Sequence, residues 1–294
     1  MGHRDDFEKK RGRKMNGFIV EKVLNNNVVI ATHPSYGEVV TIGKGLGFNR
    51  KKGEELSPEL AEKTFVLKNV KEQESYKKLL PQIDQNLQAA IIESIHLIND
   101  RVTGKLNEHI HVGLTDHLLF ALQRVSQGMT IKNPFLKETI TLYPFEHDIA
   151  VDVVELIQDK TGIGLPQGEI GFITLHIHSA ISNKDLSEVN QHSQLIYHLI
   201  QVVEEQLNVK INKDSIDYSR LVRHLRFMID RVLAGEKVEE PEKIAMLLKE
   251  EYPLCYNISW KLIKIMQQKL GKPVCDAEAV YLTMHIQRLQ KKIK

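Results

Sequence analysis

The chain has 294 residues, enough for two or three domains rather than one core, and its 42% hydrophobic and 27% charged residues exclude a disordered or fibrous protein. A formal net charge of +2 provides no chain-wide field for a polyanion, so any nucleic-acid surface has to be local. The two cysteines, Cys255 and Cys275, lack ligand spacing, which argues against a disulfide scaffold or cysteine zinc site and points to a reducing, cytoplasmic compartment.

Residues 1–14 include Lys9, Lys10, Arg11, Arg13 and Lys14 and precede a second methionine, Met15, where patterned sequence begins. They read as an extension or tail, or as an accessory basic arm for RNA. No hydrophobic stretch follows these charges, and no apolar run approaches the roughly 18 residues of a membrane span. From Phe18 the apolar period is two, over 18–24, 28–32, 39–43 and 64–68, which predicts strands of a small antiparallel sheet. Asn25-Asn26-Asn27 and His33-Pro34-Ser35-Tyr36-Gly37 punctuate them. So small a unit is marginal alone, and dimerisation is a natural way to complete its core.

Near Lys71 the period becomes helical and stays so, through 91–102, 114–125, 149–157 and 170–181. Breaks fall at Asn133-Pro134, Tyr143-Pro144 and 162–166, and Tyr252-Pro253 and Gly271-Lys272-Pro273 punctuate a second series alike. Residue by residue, Leu114, His117, Leu118, Phe120 and Arg124 return as Leu221, His224, Leu225, Phe227 and Arg231 at an offset of 107. Glu169, Thr174, His176 and Ile177 return as Glu278, Thr283, His285 and Ile286 at an offset of 109. A helical unit is therefore duplicated with a net insertion of two residues.

The expected fold is multidomain: a small N-terminal all-β antiparallel sheet domain, then two homologous all-α helical-bundle domains. The expected boundaries are a tail at 1–14, the sheet domain at 15–68, a linker at 69–80, and bundles at 81–184 and 185–294. Polar residues around 182–187 are the expected link between the bundles.

Two features carry chemistry. The loop 43–53 combines glycines that permit close backbone approach, the cations Lys44, Arg50, Lys51 and Lys52, and Phe48 as a stacking plane. With Asn25 to Asn27 it is either an RNA surface or an ordinary basic hairpin loop. The second feature is the four repeated histidines; His109, His111 and His178 correspond to Ile216, Tyr218 and Gln287 and do not recur. Leu114 and Phe120 flank His117, and Leu221 and Phe227 flank His224, so core packing is one reading. Zinc binding is poorly supported by two histidines per bundle, and no hydrolase motif is present. Phosphorylation is the third reading, since a neutral imidazole is a good nucleophile near pH 7.

The run Lys22-Val23-Leu24-Asn25-Asn26-Asn27-Val28, then Ile42-Gly43-Lys44-Gly45-Leu46-Gly47-Phe48, then two histidine-bearing helical domains, resembles the BglG/SacY/LicT family of transcriptional antiterminators. These pair a co-antiterminator RNA-binding domain with two phosphotransferase-system regulation domains. Asn190-Gln191-His192-Ser193-Gln194, Asn107-Glu108-His109-Ile110-His111 and Pro253-Leu254-Cys255-Tyr256-Asn257 look like the glucose-operon subgroup of Gram-positive bacteria. The resemblance implies a homodimer that clamps a leader-RNA hairpin through Lys22, Asn25, Asn27, Gly43, Lys44 and Phe48 and prevents terminator formation. The family often has Arg at the position of Lys44, which keeps charge but loses the planar fork.

The same resemblance makes His117 and His176 the phosphoacceptors of the first regulatory domain and His224 and His285 those of the second. Donors are the histidine-containing phosphocarrier protein and a sugar-specific enzyme II, here the glucose one. In the family, the enzyme II usually inactivates through the first domain and the phosphocarrier usually activates through the second, with subgroup differences. Neither enzymatic activity, nor a cofactor, nor a metal, nor membrane insertion is implied. The alternative is a histidine-dependent phosphotransferase or metal-dependent hydrolase with a nucleic-acid-binding domain; a DNA-binding regulator is disfavoured by the absence of a helix-turn-helix pattern. Asp116 beside His117 stands against Arg223 beside His224, a place to look for opposite responses.

Overall fold

The computed structural model describes residues 17–24, 26–43, 45–61, 63–66, 74–75, 79, 85–236 and 242–291. The expectations for residues 1–14, Asn25, Lys44 and most of the 69–80 connection fall outside them.

The alternating segments form strands β1 (Phe18–Val23), β2 (Val28–His33), β3 (Gly37–Ile42) and β5 (Lys63–Val66). A fifth, β4 (Glu55–Leu56), is only two residues long, too short for alternation to announce it. The antiparallel order is β4-β1-β2-β3-β5. β2 lies at the centre, which explains why its apolar run is continuous: both of its faces are covered. Val29 and Ala31 pack with Phe18, Val20, Val39, Leu46 and Leu56 on one side. Val28 and Ile30 pack with Val40 on the other, where Ile92 and Val112 of the first two helices meet them.

Among the described residues ten helices of seven or more residues follow, five per copy. The first copy has α1 (Gln85–Arg101), α2 (His109–Ser126), α3 (Leu136–Leu142), α4 (Pro144–Thr161) and α5 (Gln167–Ser182). The second has α6 (Leu186–Leu207), α7 (Ile216–Ala234), α8 (Glu242–Glu251), α9 (Pro253–Leu270) and α10 (Ala277–Lys291). The punctuation acts as the sequence suggests. Tyr143 and Tyr252 precede a proline at the first helical position with nearly the same backbone, φ −129°, ψ 56° and φ −131°, ψ 53°; a proline there sacrifices no hydrogen bond. The same two helices end on Gly162 and Gly271 at φ 73° and 64°, the left-handed cap that glycine adopts without a Cβ penalty. The expected link at 182–187 contracts to Asn183-Lys184-Asp185 between α5 and α6.

One compact unit is built on the sheet and takes in α1 as far as Ile92 and His111–Leu119 of α2; the other holds Glu93–Ile110 and Phe120 onward. In the latter, α7, α9 and α10 bury Leu221, Leu225, Met228, Leu262, Met266, Leu282 and Ile286 in one core with Leu199 and Val203 of α6. Each such side chain contributes about 1.5–3 kcal/mol relative to exposure.

Polar contacts tie the copies within this unit. Glu138 on α3 is fully buried, and its Oε1 accepts hydrogen bonds from the Tyr218 hydroxyl on α7 at 2.6 Å and from Lys213 Nζ at 2.8 Å. Two residues after His224, Arg226 Nη1 donates to the Tyr143 hydroxyl at 3.0 Å. The helix that carries His224 is thus bonded to the first copy on both sides of that residue.

Candidate functional site

The hairpin between β1 and β2 and the glycine loop are joined by backbone and side-chain bonds. The Gly43 N–H donates to the Asn27 carbonyl, the Gly45 N–H to Asn27 Oδ1 and the Gly47 N–H to the Asn26 carbonyl, all at 2.9 Å. Gly45 sits at φ 70°, where a side chain is strained. The far end of the loop returns to β1: the Gly53 N–H donates to the Val20 carbonyl at 2.7 Å and the Val20 N–H to the Glu54 carbonyl at 2.9 Å. A bulge between Val20 and Lys22 locally re-aims the strand beside this return.

Among the described residues, Lys22, Asn27, Gly43 and Phe48 therefore come to the same end of the sheet. Phe48 is 61% exposed, unusual for an aromatic ring whose own amide is fixed by a 3.0 Å bond to Gly45. Lys22 and Lys51 are exposed, whereas Arg50 and Lys52 face Glu54 at 3.6 Å and Glu21 at 3.1 Å. Asn27 has a task the sequence did not announce: its Oδ1 shapes the glycine loop. Asn25 and Lys44 lie outside the described residues.

The four repeated histidines sit at matching registers, His117 on α2 and His224 on α7, His176 on α5 and His285 on α10. In the second copy the His224 and His285 rings lie 4.8 Å apart between centroids at 33°. His224 Nε2 is 3.5 Å from Glu278 Oε2, an ion-pair separation longer than a good hydrogen bond. Arg231 grips the same carboxylate through three contacts of 2.7–2.9 Å. The first copy repeats this pair, with Arg124 Nη2 donating to Glu169 Oε1 at 2.7 Å. These four residues lay inside the repeated motifs with no role assigned; their recurrence was the available signal.

The apolar-stripe reading needs correction. Leu114 and Leu221 are fully buried, but Phe120 and Phe227, one turn after their histidines, are 60% and 61% exposed. The histidines of α2 and α7 sit at the margin between core and solvent, because a helical period puts i−3 and i+3 on opposite borders of the stripe. Of the histidines that do not recur, His109 bonds Ser179 at 3.0 Å, and His178 bonds Glu146 at 2.8 Å and stacks on Tyr143.

Burial pushes the His285 imidazole down to about 4, helped by His224, Arg288 and Arg220 and opposed by Asp217. Burial alone would raise the Glu278 carboxyl, but His224 and Arg231 hold it below its usual range. The neutral His285 has a consequence for stability. Unfolded, it takes up a proton near its ordinary value of 6.5; folded, it does not until about 4. Unfolding binds a proton between those values, so stability falls as pH is lowered through this window, by at most ~1.4 kcal/mol per pH unit. Thermal unfolding midpoints measured across the window are expected to drop toward acid, and His285→Asn is expected to flatten that slope. An unchanged slope in the variant would locate the titration elsewhere.

Among the described residues no group of three or more His, Cys, Asp or Glu is placed to hold a metal ion, and no helix is long and apolar enough to cross a membrane.

Comparison with known proteins agrees with this division of labour. The model of the CAT RNA binding domain matches residues 18–74, and that of the PRD domain matches twice, at 92–180 and 197–289. The chain is 55% identical over 280 residues to the PtsGHI operon antiterminator of Bacillus subtilis (strain 168), covering 95% of this chain and 100% of that protein. It is 43% identical over 274 residues to the GlcA/glcB genes antiterminator of Staphylococcus carnosus (strain TM300), covering 92% and 96%. Among solved structures, the crystal structure of GlcT CAT-PRDI is 51% identical, covers 57% of this chain and 99% of that chain, and superposes with a TM-score of 0.53.

Proposed function

Because this chain belongs to the family of transcriptional antiterminators that join a CAT RNA-binding domain to PRD domains, we propose that it binds the leader-RNA hairpin of a glucose phosphotransferase operon. Binding prevents the overlapping terminator from forming. Lys22, Asn27 and Phe48 contact RNA together with Asn25 and Lys44, while Gly43 lets the backbone approach. The helical copies sense the phosphotransferase system through phosphorylation of His117 and His176 and of His224 and His285. Their donors are the glucose enzyme II and the histidine-containing phosphocarrier protein. The protein works as a cytoplasmic homodimer and regulates without catalysing a reaction. Its domains follow 15–68, 81–184 and 185–294.

One observation carries this reading: a single chain holds an exposed aromatic and lysine edge on its sheet and, later in its sequence, two sets of histidines at the same helical register. A phosphoryl group adds up to about two negative charges to a half-buried imidazole, which then recruits cations or separates from its neighbours. The test uses the full chain. Its affinity for the leader hairpin is measured before and after incubation with enzyme II and phosphocarrier, and phosphohistidines are mapped under alkaline conditions. Salt-dependent binding that weakens about tenfold or more on modification of the first copy is expected. Affinity indifferent to salt, or to phosphate on the mapped histidines, would sink the reading.

A further inference from the structure

The second copy offers two rings, 4.8 Å apart, to one phosphoryl group. Their surroundings differ in sign. His224 Nε2 faces the Glu278 carboxylate at 3.5 Å, and Arg231 holds that carboxylate in place. A phosphoryl dianion on that nitrogen would meet a fixed negative charge. His285 instead has Arg288 one turn further along α10, and Arg220 one turn before His224 on α7; residues at such spacings share a helix face. The fields of both arginines reach His285, opposed by Asp217, which lies 3.5 Å from Arg220.

The duplication supplies a control. At the offsets that relate the histidines, Arg220 corresponds to Gly113, Arg223 to Asp116 and Arg288 to Ser179. At these three positions the second copy carries cations and the first carries none. Conversely, the arginine–glutamate pair itself is common to both copies, so it cannot be what distinguishes them.

We infer that in the second copy His285, rather than His224, takes the phosphoryl group, and that Arg220 and Arg288 form a cationic subsite for its oxygens that the first copy lacks. This rests on the phosphoacceptor reading above and names the acceptor and the residues that hold its charge. In the transfer, the phosphorus–nitrogen bond of the donor's phosphohistidine breaks as the lone pair of neutral His285 forms a new one. The proton lost from the other ring nitrogen of His285 is matched by the proton that the donor imidazole takes up. Charge-assisted bonds from two arginines favour the phosphorylated side of this reversible exchange, so the second copy retains phosphate at donor levels where the first returns it.

The experiment is phosphorylation of the full chain by the phosphorylated phosphocarrier protein, with occupancy of each histidine read by mass spectrometry. His224→Asn is expected to leave second-copy occupancy nearly intact and His285→Asn to abolish it. Arg220→Gln with Arg288→Gln is expected to lower His285 occupancy about tenfold at fixed donor, and Arg288→Lys in place of Arg288→Gln to restore most of it. Arg220 and Arg288 are exposed, so melting midpoints should not move. Phosphate on His224, or unchanged occupancy of His285 in the double variant, overturns the inference. Wild-type protein with no phosphate on any of the four histidines overturns the phosphoacceptor reading itself and this inference with it.

Discussion

Replacing Glu138 with alanine is expected to lower the stability of the helical unit by about 3–5 kcal/mol, the usual cost of removing one partner from a buried charged network. The carboxylate is fully buried and accepts from Tyr218 and Lys213, and Tyr218 is itself fully buried. Burial and the neighbouring carboxylate both push the Tyr218 phenol up, so the hydroxyl keeps its proton and acts as donor at any pH the fold tolerates. Alanine would leave this donor without an acceptor and the Lys213 ammonium, partly buried between the Tyr197 and Tyr218 rings, without its counter-charge. Urea unfolding should show a lower midpoint with an unchanged slope. Adding Tyr218→Phe and Lys213→Met to Glu138→Leu should recover most of the loss, since apolar groups of similar volume often replace a buried polar cluster at little cost. A loss below about 1 kcal/mol in the single variant would mean that water enters the site. Because α7 carries both Tyr218 and His224, a loosened α7 should also loosen the His224 site.

The second large effect is on RNA. Phe48→Ala is expected to weaken hairpin binding about 10- to 100-fold while leaving the melting midpoint unchanged. A stacked base is worth roughly 1–3 kcal/mol, and a ring 61% exposed contributes little to the sheet core. The salt dependence should survive the substitution, because stacking releases no counterions. Lys22→Ala should behave in the opposite way, reducing the salt slope by about one with a smaller loss of affinity. Equal effects of the two variants on the salt slope would show that Phe48 does not stack. Asn27→Ala should weaken binding through the loop, since Gly45 loses its side-chain acceptor.

How far the sequence reaches is clearest where local physics decides. Alternation over β1 reflects side chains that point to opposite faces of a pleated strand, and Tyr-Pro and glycine at matching positions start and stop α4 and α9 because their backbone preferences are intrinsic. The duplication, and with it the choice of four histidines among thirteen, needs only the comparison of the chain with itself. Where tertiary context decides, the sequence is silent. β4 exists because Phe18 and Ile19 offer it an edge, and two residues have no period. Phe120 and Phe227 looked like core and lie on the surface, since periodicity gives a stripe but not its borders.

The pairings that define the histidine sites belong to the same class. Arg231 and Glu278 are 47 residues apart, and Glu138 and Tyr218 are 80 apart. Nothing in local propensity links such residues; they meet because a charge buried by packing must find a partner at that place. By itself, then, the sequence determined the sheet, the doubled bundle and the identity of the histidines. Only the tertiary structure decided which charges meet in the second copy, where Glu278 lies between His224 and Arg231 and the fields of Arg220 and Arg288 reach His285.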